Sequence, residues 1–434
     1  MGHTRWIGEE AAGRDKVEAI DKLLPNMRIA VVCGHFMPEV GYQEVWIART
    51  LARLGIKVRV VTSTAVSSSA RRIRRFPYPA GREVAVEGYE IIRLPVRFRF
   101  RSAVFSAHVA DAVAEWGPDA VFLIGIGKMF GGPVLRATEV QHVPIVCFFS
   151  ELAEYRQRHS LPARIVSWMQ DRGFELLKRP LYQLAFRRAQ LLVCNSPGTL
   201  EWLKHCCQEQ GDYEILKAKA RVLSLGYDSH LFLFRPEERL AVRQQLSCQG
   251  EVVVLTVTRV VPHKGLERII DAIGYLQRRG FPVRYILIGT LGDAYEGQLR
   301  RRAQQQPCPE RFLLLPFQPS DVVRQFAAGA DVGIWMQIAI SANEAMGTGL
   351  PLLLPRRLSL RHLLEEGVNG WYWEEPYEFE NALEKVVNFL SVMPEEQRIQ
   401  WRNHIAAYNA RRFSYEAILR EILTAIGMPP TWEG

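Results

Sequence analysis

The sequence predicts an α/β protein made of two Rossmann-like, doubly wound domains in series. Three observations carry this expectation. Short apolar runs of β-formers alternate with amphipathic helical stretches along nearly the whole chain. The alternation lapses once, around residues 224–236, and then restarts. At 434 residues the chain exceeds one ordinary domain and fits two or three.

The elements follow in order. Residues 1–26 are polar, with no apolar core, and read as an N-terminal extension rather than a signal peptide. The run Arg28-Ile29-Ala30-Val31-Val32-Cys33 predicts the first strand, closed by Gly34. Apolar Val45, Trp46, Ala48, Leu51, Ala52 and Leu54 recur at helical spacing over 44–54, and Gly55 stops the helix. Further strands are expected at 58–62, 120–123, 145–149 and 191–194. Gly226-Tyr227-Asp228 and Arg235-Pro236 mark a linker. Beyond it the pattern predicts a strand over 252–257, a helix over 266–279, and strands at 285–288, 312–315 and 332–335. A helix starting near Ile340 is ended by Gly347 and Gly349, and Pro351 opens a short buried strand. Another helix is expected to end at Glu365-Glu366-Gly367, and residues 395–426 read as a helical tail. The expected domains are therefore 27–228 and 229–400, with 401–434 packing back towards the first. Ligands of such sheets bind beyond the carboxyl ends of the strands, and two facing domains would form a cleft there.

Composition narrows the class. A hydrophobic content of 48% with 23% charged residues is that of a soluble globular protein, and no apolar run approaches membrane-spanning length. The seven cysteines are scattered without metal-ligand spacing, which fits a reducing cytoplasm. The net charge is +9. From Arg71 to Arg101 nine arginines face only Glu83, Glu87 and Glu90, and Phe76, Tyr78, Phe98, Phe100 and Phe105 lie in or beside this stretch. Such a stretch suits an anionic membrane surface or a polyanionic substrate, the plain alternative being a charge-blunted β-ribbon. No nucleic-acid motif accompanies it, and nucleic acid is not expected as a partner.

Four segments can carry chemistry, although each alone also reads as an ordinary strand–helix turn. Gly41, in Pro38-Glu39-Val40-Gly41-Tyr42-Gln43-Glu44, lets backbone approach a ligand ahead of a helix N-terminus. Arg259 and Lys264 bracket the loop after the first strand of the second domain, where they suit a diphosphate. The helix from Ile340, Ser341 and Ala342 offers N–H groups to an anion, and Glu344 can accept from sugar hydroxyls. Gly289 sits in a turn at a strand end. His35, His108, His142 and His159 have no partner nearby in sequence and read as structural. Zinc-ligand spacing, a Gly-x-Ser-x-Gly elbow, a P-loop and a Gly-x-Gly-x-x-Gly turn are all missing, so a nicotinamide oxidoreductase is a poor fit.

In this order the segments resemble the family 4 glycosyltransferases of GT-B fold, over most of the chain from Met27 onward. Pro38 to Glu44 is similar to the family's Gly-rich loop, with Tyr42 where a second Gly is usual. Arg259 with Lys264-Gly265 resembles its diphosphate clamp. Gly226-Tyr227-Asp228 resembles the turn before the linker. Glu344-Ala345-Met346-Gly347-Thr348-Gly349-Leu350-Pro351 resembles the donor-domain signature, and Asn369-Gly370 the block after it.

The resemblance implies a nucleotide-sugar donor on the C-terminal domain and a glycan or lipid-linked acceptor on the N-terminal one. It implies transfer with retention of configuration, with no metal and no cofactor. Glu344 would hold the ribose, Ile340, Ser341 and Ala342 would face the phosphates, and Arg259 and Lys264 would stabilise the leaving diphosphate. Gly41 and Gly289 would line the donor. Two departures stand out. Met336 occupies the position of the first of the family's two glutamates, so a sugar-side acceptor is missing. Phe149-Ser150-Glu151 replaces a segment that often carries a His, and Ser150 or Glu151 is expected to take over that contact. The expectation is thus a cytoplasmic transferase, peripheral to the membrane. The alternative is a non-catalytic GT-B protein that binds a nucleotide or a partner in glycan synthesis.

Overall fold

The computed structural model describes residues 27–67, 76–100, 102–150, 178–337 and 339–429. The chain divides into two compact units, Met1–Leu223 with Leu419–Gly434, and Ser224–Ile418. The first 26 residues, the arginines at 71, 72, 74, 75 and 101, His159 and Glu151, for which the sequence raised expectations, lie outside the described residues.

The first unit begins with β1 (Arg28–Cys33), α1 (Gln43–Arg53) and β2 (Lys57–Ser63). A hairpin of β3 (Gly81–Val84) and β4 (Glu90–Leu94) follows, then a separate ribbon of β5 (Phe98–Phe100) and β6 (Ala103–Phe105). Next come α2 (Val109–Ala114), β7 (Ala120–Ile124), α3 (Gly132–Arg136), β8 (Ile145–Phe149), α4 (Arg179–Arg188), β9 (Leu191–Cys194), α5 (Pro197–Lys204), α6 (Gln210–Lys219) and β10 (Ala220–Val222). The sheet order is β10-β9-β8-β7-β1-β2-β4-β3, parallel except for β3. The central strands are buried throughout, so they read in sequence as unbroken apolar runs rather than alternating ones. The chain leaves β1 towards β2 on one side and returns to β7 on the other, so the winding reverses between β1 and β7.

The second unit contains α7 (Pro236–Gln245), β11 (Val252–Val257), α8 (Leu266–Arg278), β12 (Val283–Thr290), α9 (Ala294–Gln304), β13 (Phe312–Pro316), α10 (Ser320–Gly329) and β14 (Val332–Ile334). It continues through α11 (Ile340–Gly347), β15 (Leu352–Pro355), β16 (Gly370–Trp373), α12 (Phe379–Val392) and α13 (Glu395–Phe413). The last helix, α14 (Tyr415–Ala425), starts in this unit, and from Leu419 its residues belong to the first. The sheet order is β13-β12-β11-β14-β15-β16, all parallel. Helix α8 shows why the pattern works: Leu266, Ile269, Ile270, Ile273 and Leu276 form one stripe, and all are buried in the core with β11 and β12.

One expectation is corrected. The helix expected to end at Glu365-Glu366-Gly367 is a chain of turns. There the Asn369 side chain replaces helical bonds, accepting from the Glu365 N–H at 2.8 Å and donating to the Leu363 carbonyl at 3.1 Å. The C-terminal tail is helical as expected, in two segments. Ser414 breaks it by turning extended, pairing with Tyr227 and capping the Ala417 N–H with its hydroxyl at 3.1 Å.

The second unit also buries a charge cluster. Asp331 accepts from Arg239 at 2.7 Å, Arg243 at 2.9 Å, Arg398 at 3.0 Å and the Val253 N–H at 2.8 Å. Arg239 and Arg243 lie one turn apart on α7, and Arg398 and Arg402 one turn apart on α13. Arg402 donates to the carbonyls of Ala327, Ala330 and Thr348. These carbonyls include the negative end of α10, which helps balance an excess of buried arginine. Burial alone would raise the Asp331 pKa, but the three guanidiniums outweigh it and hold the carboxyl well below the usual range. Replacement Asp331→Asn is expected to cost about 3 kcal/mol or more at neutral pH, read from urea unfolding. A depressed carboxylate contributes above its unfolded pKa and loses that contribution as pH falls towards the folded value. The deficit of the variant should therefore shrink as pH drops below about 4.

Candidate functional site

In the second unit the expected site residues converge at the carboxyl end of β11. The Val257 carbonyl that ends this strand accepts both the Trp335 indole N–H, at 2.8 Å, and the Ser341 hydroxyl. The indole N–H also lies 3.2 Å from Ser341 Oγ. This knot fastens the first turn of α11 onto the end of β11. A second tie holds the neighbouring loop, where Gln337 Nε2 donates to the His263 carbonyl at 2.6 Å. The loop carrying Arg259, His263 and Lys264 is thereby joined to the segment leading into α11.

The electrostatics suit an anion. The free N–H groups of a helix start and its dipole favour negative charge. The Ala342 N–H is already given to the Ala339 carbonyl at 3.1 Å, which leaves Ile340 and Ser341 as the amides at the mouth. Arg259 is exposed, whereas Lys264 is half-buried in a 3-10 turn, Pro262–Lys264, closed by left-handed Gly265. Burial first, and the Arg259 charge second, push the Lys264 amine down to about 8. His263 is lowered too, by burial and then by Lys264 and Arg259. Glu344 lies half-buried one turn into α11. Met336 stands beside this loop, its Cγ 3.4 Å from where a Cβ on Gly265 would be.

The glycines of the motifs answer to the chain itself. Gly289 has φ +116, and a Cβ there would sit 2.1 Å from the Thr258 carbonyl oxygen. It lets the Arg259 loop cross the end of β12. Gly349, at φ +67, runs against the Arg402 carbonyl at a similarly impossible distance for a Cβ. In the first unit Gly41 is left-handed at φ +67 and lies against the Trp46 ring. Asn343, passed over in the sequence, is fully buried and ties α11 to the Ser224 hydroxyl at 3.0 Å and the Leu225 carbonyl.

The first unit holds a second constellation, where its winding reverses. His35 follows β1, and Lys128 ends a 3-10 turn, Ile126–Lys128, after β7. Flanking this turn are Gly125 and the non-glycine Met129, both left-handed, a local strain of the kind found at functional sites. His35 is buried, and among the described residues neither ring nitrogen has a hydrogen-bond partner. Burial, then Lys128 and Arg99, lower it to about 4, so it is neutral at physiological pH. Glu44, buried in the first turn of α1, is raised by burial against the opposing pull of Lys128. Sequence reading set His35 aside as structural, because the sheet order that brings β1 beside β7 is not written in local sequence. Ser150 is exposed at the end of β8. Among the described residues no group of three or more His, Cys, Asp or Glu is placed to hold a metal ion.

Two family models match the chain, one in each unit. Residues 238–405 match the model of the glycosyl transferases group 1, and residues 43–205 that of the glycosyl transferase 4-like domain. A putative colanic acid biosynthesis glycosyltransferase, WcaL of Escherichia coli, is 26% identical over 202 residues, covering 44% of this chain and 46% of that protein. The amylovoran biosynthesis glycosyltransferase AmsK of Erwinia amylovora is 28% identical over 128 residues, 27% of this chain and 31% of that protein. The chain thus spans about half the length, or less, of these curated relatives. Among solved structures, Anabaena Alr3699/HepE in complex with UDP has a TM-score of 0.62 at 17% identity, covering 92% of this chain and 100% of that one. Sucrose-phosphate synthase from Thermosynechococcus elongatus has a TM-score of 0.63 at 16% identity, covering 92% and 98%. At such identities the likeness is one of fold.

The Lys264 environment predicts its own titration. Competitive acetylation followed by mass spectrometry should give Lys264 a midpoint near 8. In Arg259→Gln the midpoint should move upward, since a neighbouring positive charge is gone. An ordinary lysine midpoint in the unaltered chain would contradict this account of the loop.

Proposed function

We propose a sugar-transfer reaction for this chain, which belongs to the group 1 glycosyltransferases and has their GT-B fold. A nucleotide sugar binds the second unit, and its sugar passes to a glycan or lipid-linked acceptor held by the first. The observation that carries this reading is the knot at the Val257 carbonyl, which sets the start of α11 beside the Arg259–Lys264 loop. Two cations and the amides of a helix start there match a diphosphate. A site that stabilises departing diphosphate charge speeds glycosyl transfer without a metal, because the charge develops in the transition state. Glu344 accepts from the ribose hydroxyls. The configuration is retained, the leaving phosphate takes the acceptor proton, and no protein nucleophile is assigned. The acceptor hydroxyl lies near the carboxyl ends of β1 and β7, where neutral His35 offers hydrogen bonds beside Lys128 and Glu44.

The likeness to a UDP-bound neighbour makes UDP the first nucleotide to test. UDP at a hundredfold excess over its Kd should stabilise the chain by about 2.7 kcal/mol, seen as a rise in Tm. A UDP-sugar that outperforms UDP would identify the donor. Lys264→Ala and Arg259→Ala should each lower kcat/KM at least about 100-fold. Met336 beside the Lys264 loop favours a second reading, a nucleotide-binding protein that does not transfer. Binding without turnover or slow hydrolysis of any nucleotide sugar would select it.

We also propose that the protein works at the cytoplasmic face of a membrane. No helix among the described residues is long and apolar enough to cross one. The support is narrower than the sequence suggested. Arg82 pairs with Glu90, and Arg93 is buried against Glu83 at 2.8 Å, so neither adds to a free cationic surface. The β5–β6 ribbon instead presents Phe98 and Phe100, 59% and 60% exposed, with exposed Arg97 just before them and half-buried Arg99 between them. Aromatic and basic residues together suit an anionic lipid interface. Co-sedimentation with phosphatidylserine vesicles should fall with rising salt and in the Phe98→Ser, Phe100→Ser double variant. Binding unchanged by both would remove the ribbon from the reading.

A further inference from the structure

A cleft of about 670 Å³ runs beside the edge strand β16, two strands beyond β14 and away from the Lys264 loop. One wall is aromatic. Trp371 on β16 and Phe389 on α12 line it with ring centroids 5.8 Å apart, and Trp401 on α13 packs against both rings from outside the lining, 5.7 and 5.9 Å away. Trp371 and Trp401 are half-buried, but Phe389 is 46% exposed. The other wall is polar. The Arg356 guanidinium lies 4.7 Å above the Tyr372 ring and pairs with Glu366 and Glu374. Asn381 and Lys385, exposed on α12, complete it.

We propose that this cleft holds a neutral glycan chain. A pyranose has an apolar C–H face and a rim of hydroxyls, and it needs an aromatic platform beside planar polar groups. The cleft supplies both, within the volume range of small-molecule sites. Other occupants fit less well. Two cations face three carboxylates in the lining, so a polyanion gains nothing. A peptide strand would need unpaired N–H groups along the edge. Two on this stretch are already spent: Glu366 accepts from the Tyr372 N–H at 3.4 Å, and Glu378 from the Glu374 N–H just past β16 at 3.1 Å. The Gly370 carbonyl is likewise taken, by the Gly367 N–H at 3.0 Å. The site lies apart from the donor loop, so it would hold a glycan already made rather than the sugar in transit. The choice of a glycan rests in part on the transferase reading.

The test uses the full chain on an array of immobilised neutral and acidic bacterial oligosaccharides. Saturable retention on neutral glycans is expected, weakened about fivefold to tenfold in Phe389→Ala and in Asn381→Ala. Both side chains are exposed, so neither variant should lose the fold, and the melting curve of each checks this. Retention on acidic glycans alone, no retention, or retention unchanged in both variants would overturn the proposal. The thermal shift by UDP is measured on the same samples. Its absence from the unaltered chain counts against the transferase reading, whereas its presence without glycan retention counts against this cleft alone.

Discussion

The second unit is organised by the need of one buried carboxylate, Asp331, for positive charge. Three arginines answer it, two from α7 and one from α13. Such a cluster adds little net stability compared with apolar packing, since each charge must first lose its water. What it adds is position. Asp331 also grips the Val253 N–H near the start of β11, while Trp335, just past β14, grips the Val257 carbonyl at its end. The two clamps hold β14 along β11 at both ends. The second clamp is the one that fastens α11, so the charge cluster and the helix mouth sit at opposite ends of the same strand pair.

The two units present opposite electrostatic settings. At the end of β11, Lys264 is kept cationic with difficulty: burial and Arg259 both work against its proton. An anion bound there would relieve that strain. At the ends of β1 and β7, burial makes His35 neutral and favours the protonated form of Glu44. That setting offers hydrogen bonds from His35 and Glu44 beside the charge of Lys128, a combination that suits hydroxyl groups.

Much of this was legible in the sequence, for a physical reason. Buried parallel strands are continuous apolar runs, and helices such as α8 carry one apolar stripe, so both show in a short window. The Arg259–Lys264 loop and the helix at Ile340 were legible because both sit at strand ends. What escaped depended on contacts distant in sequence. His35 and Lys128 meet only because β7 returns beside β1. The pairing of Arg93 with Glu83 depends on a hairpin register, and it removed a residue counted as surface charge. The turns before Asn369 replaced a helix because one amide side chain bonds its neighbours' backbone, a choice that periodicity does not register.

The carboxylates along β16 have a consequence for the life of the molecule in a crowded solution. A parallel sheet ends in a row of donors and acceptors that would accept a strand from any neighbouring chain. Glu366 and Glu378 fill that role from within, and at the opposite end of the other sheet β3 exposes Arg82 and Glu83 along its length. At these two edges a neighbouring copy meets backbone already bonded by its own side chains, or a charged strand, rather than a bare row of donors.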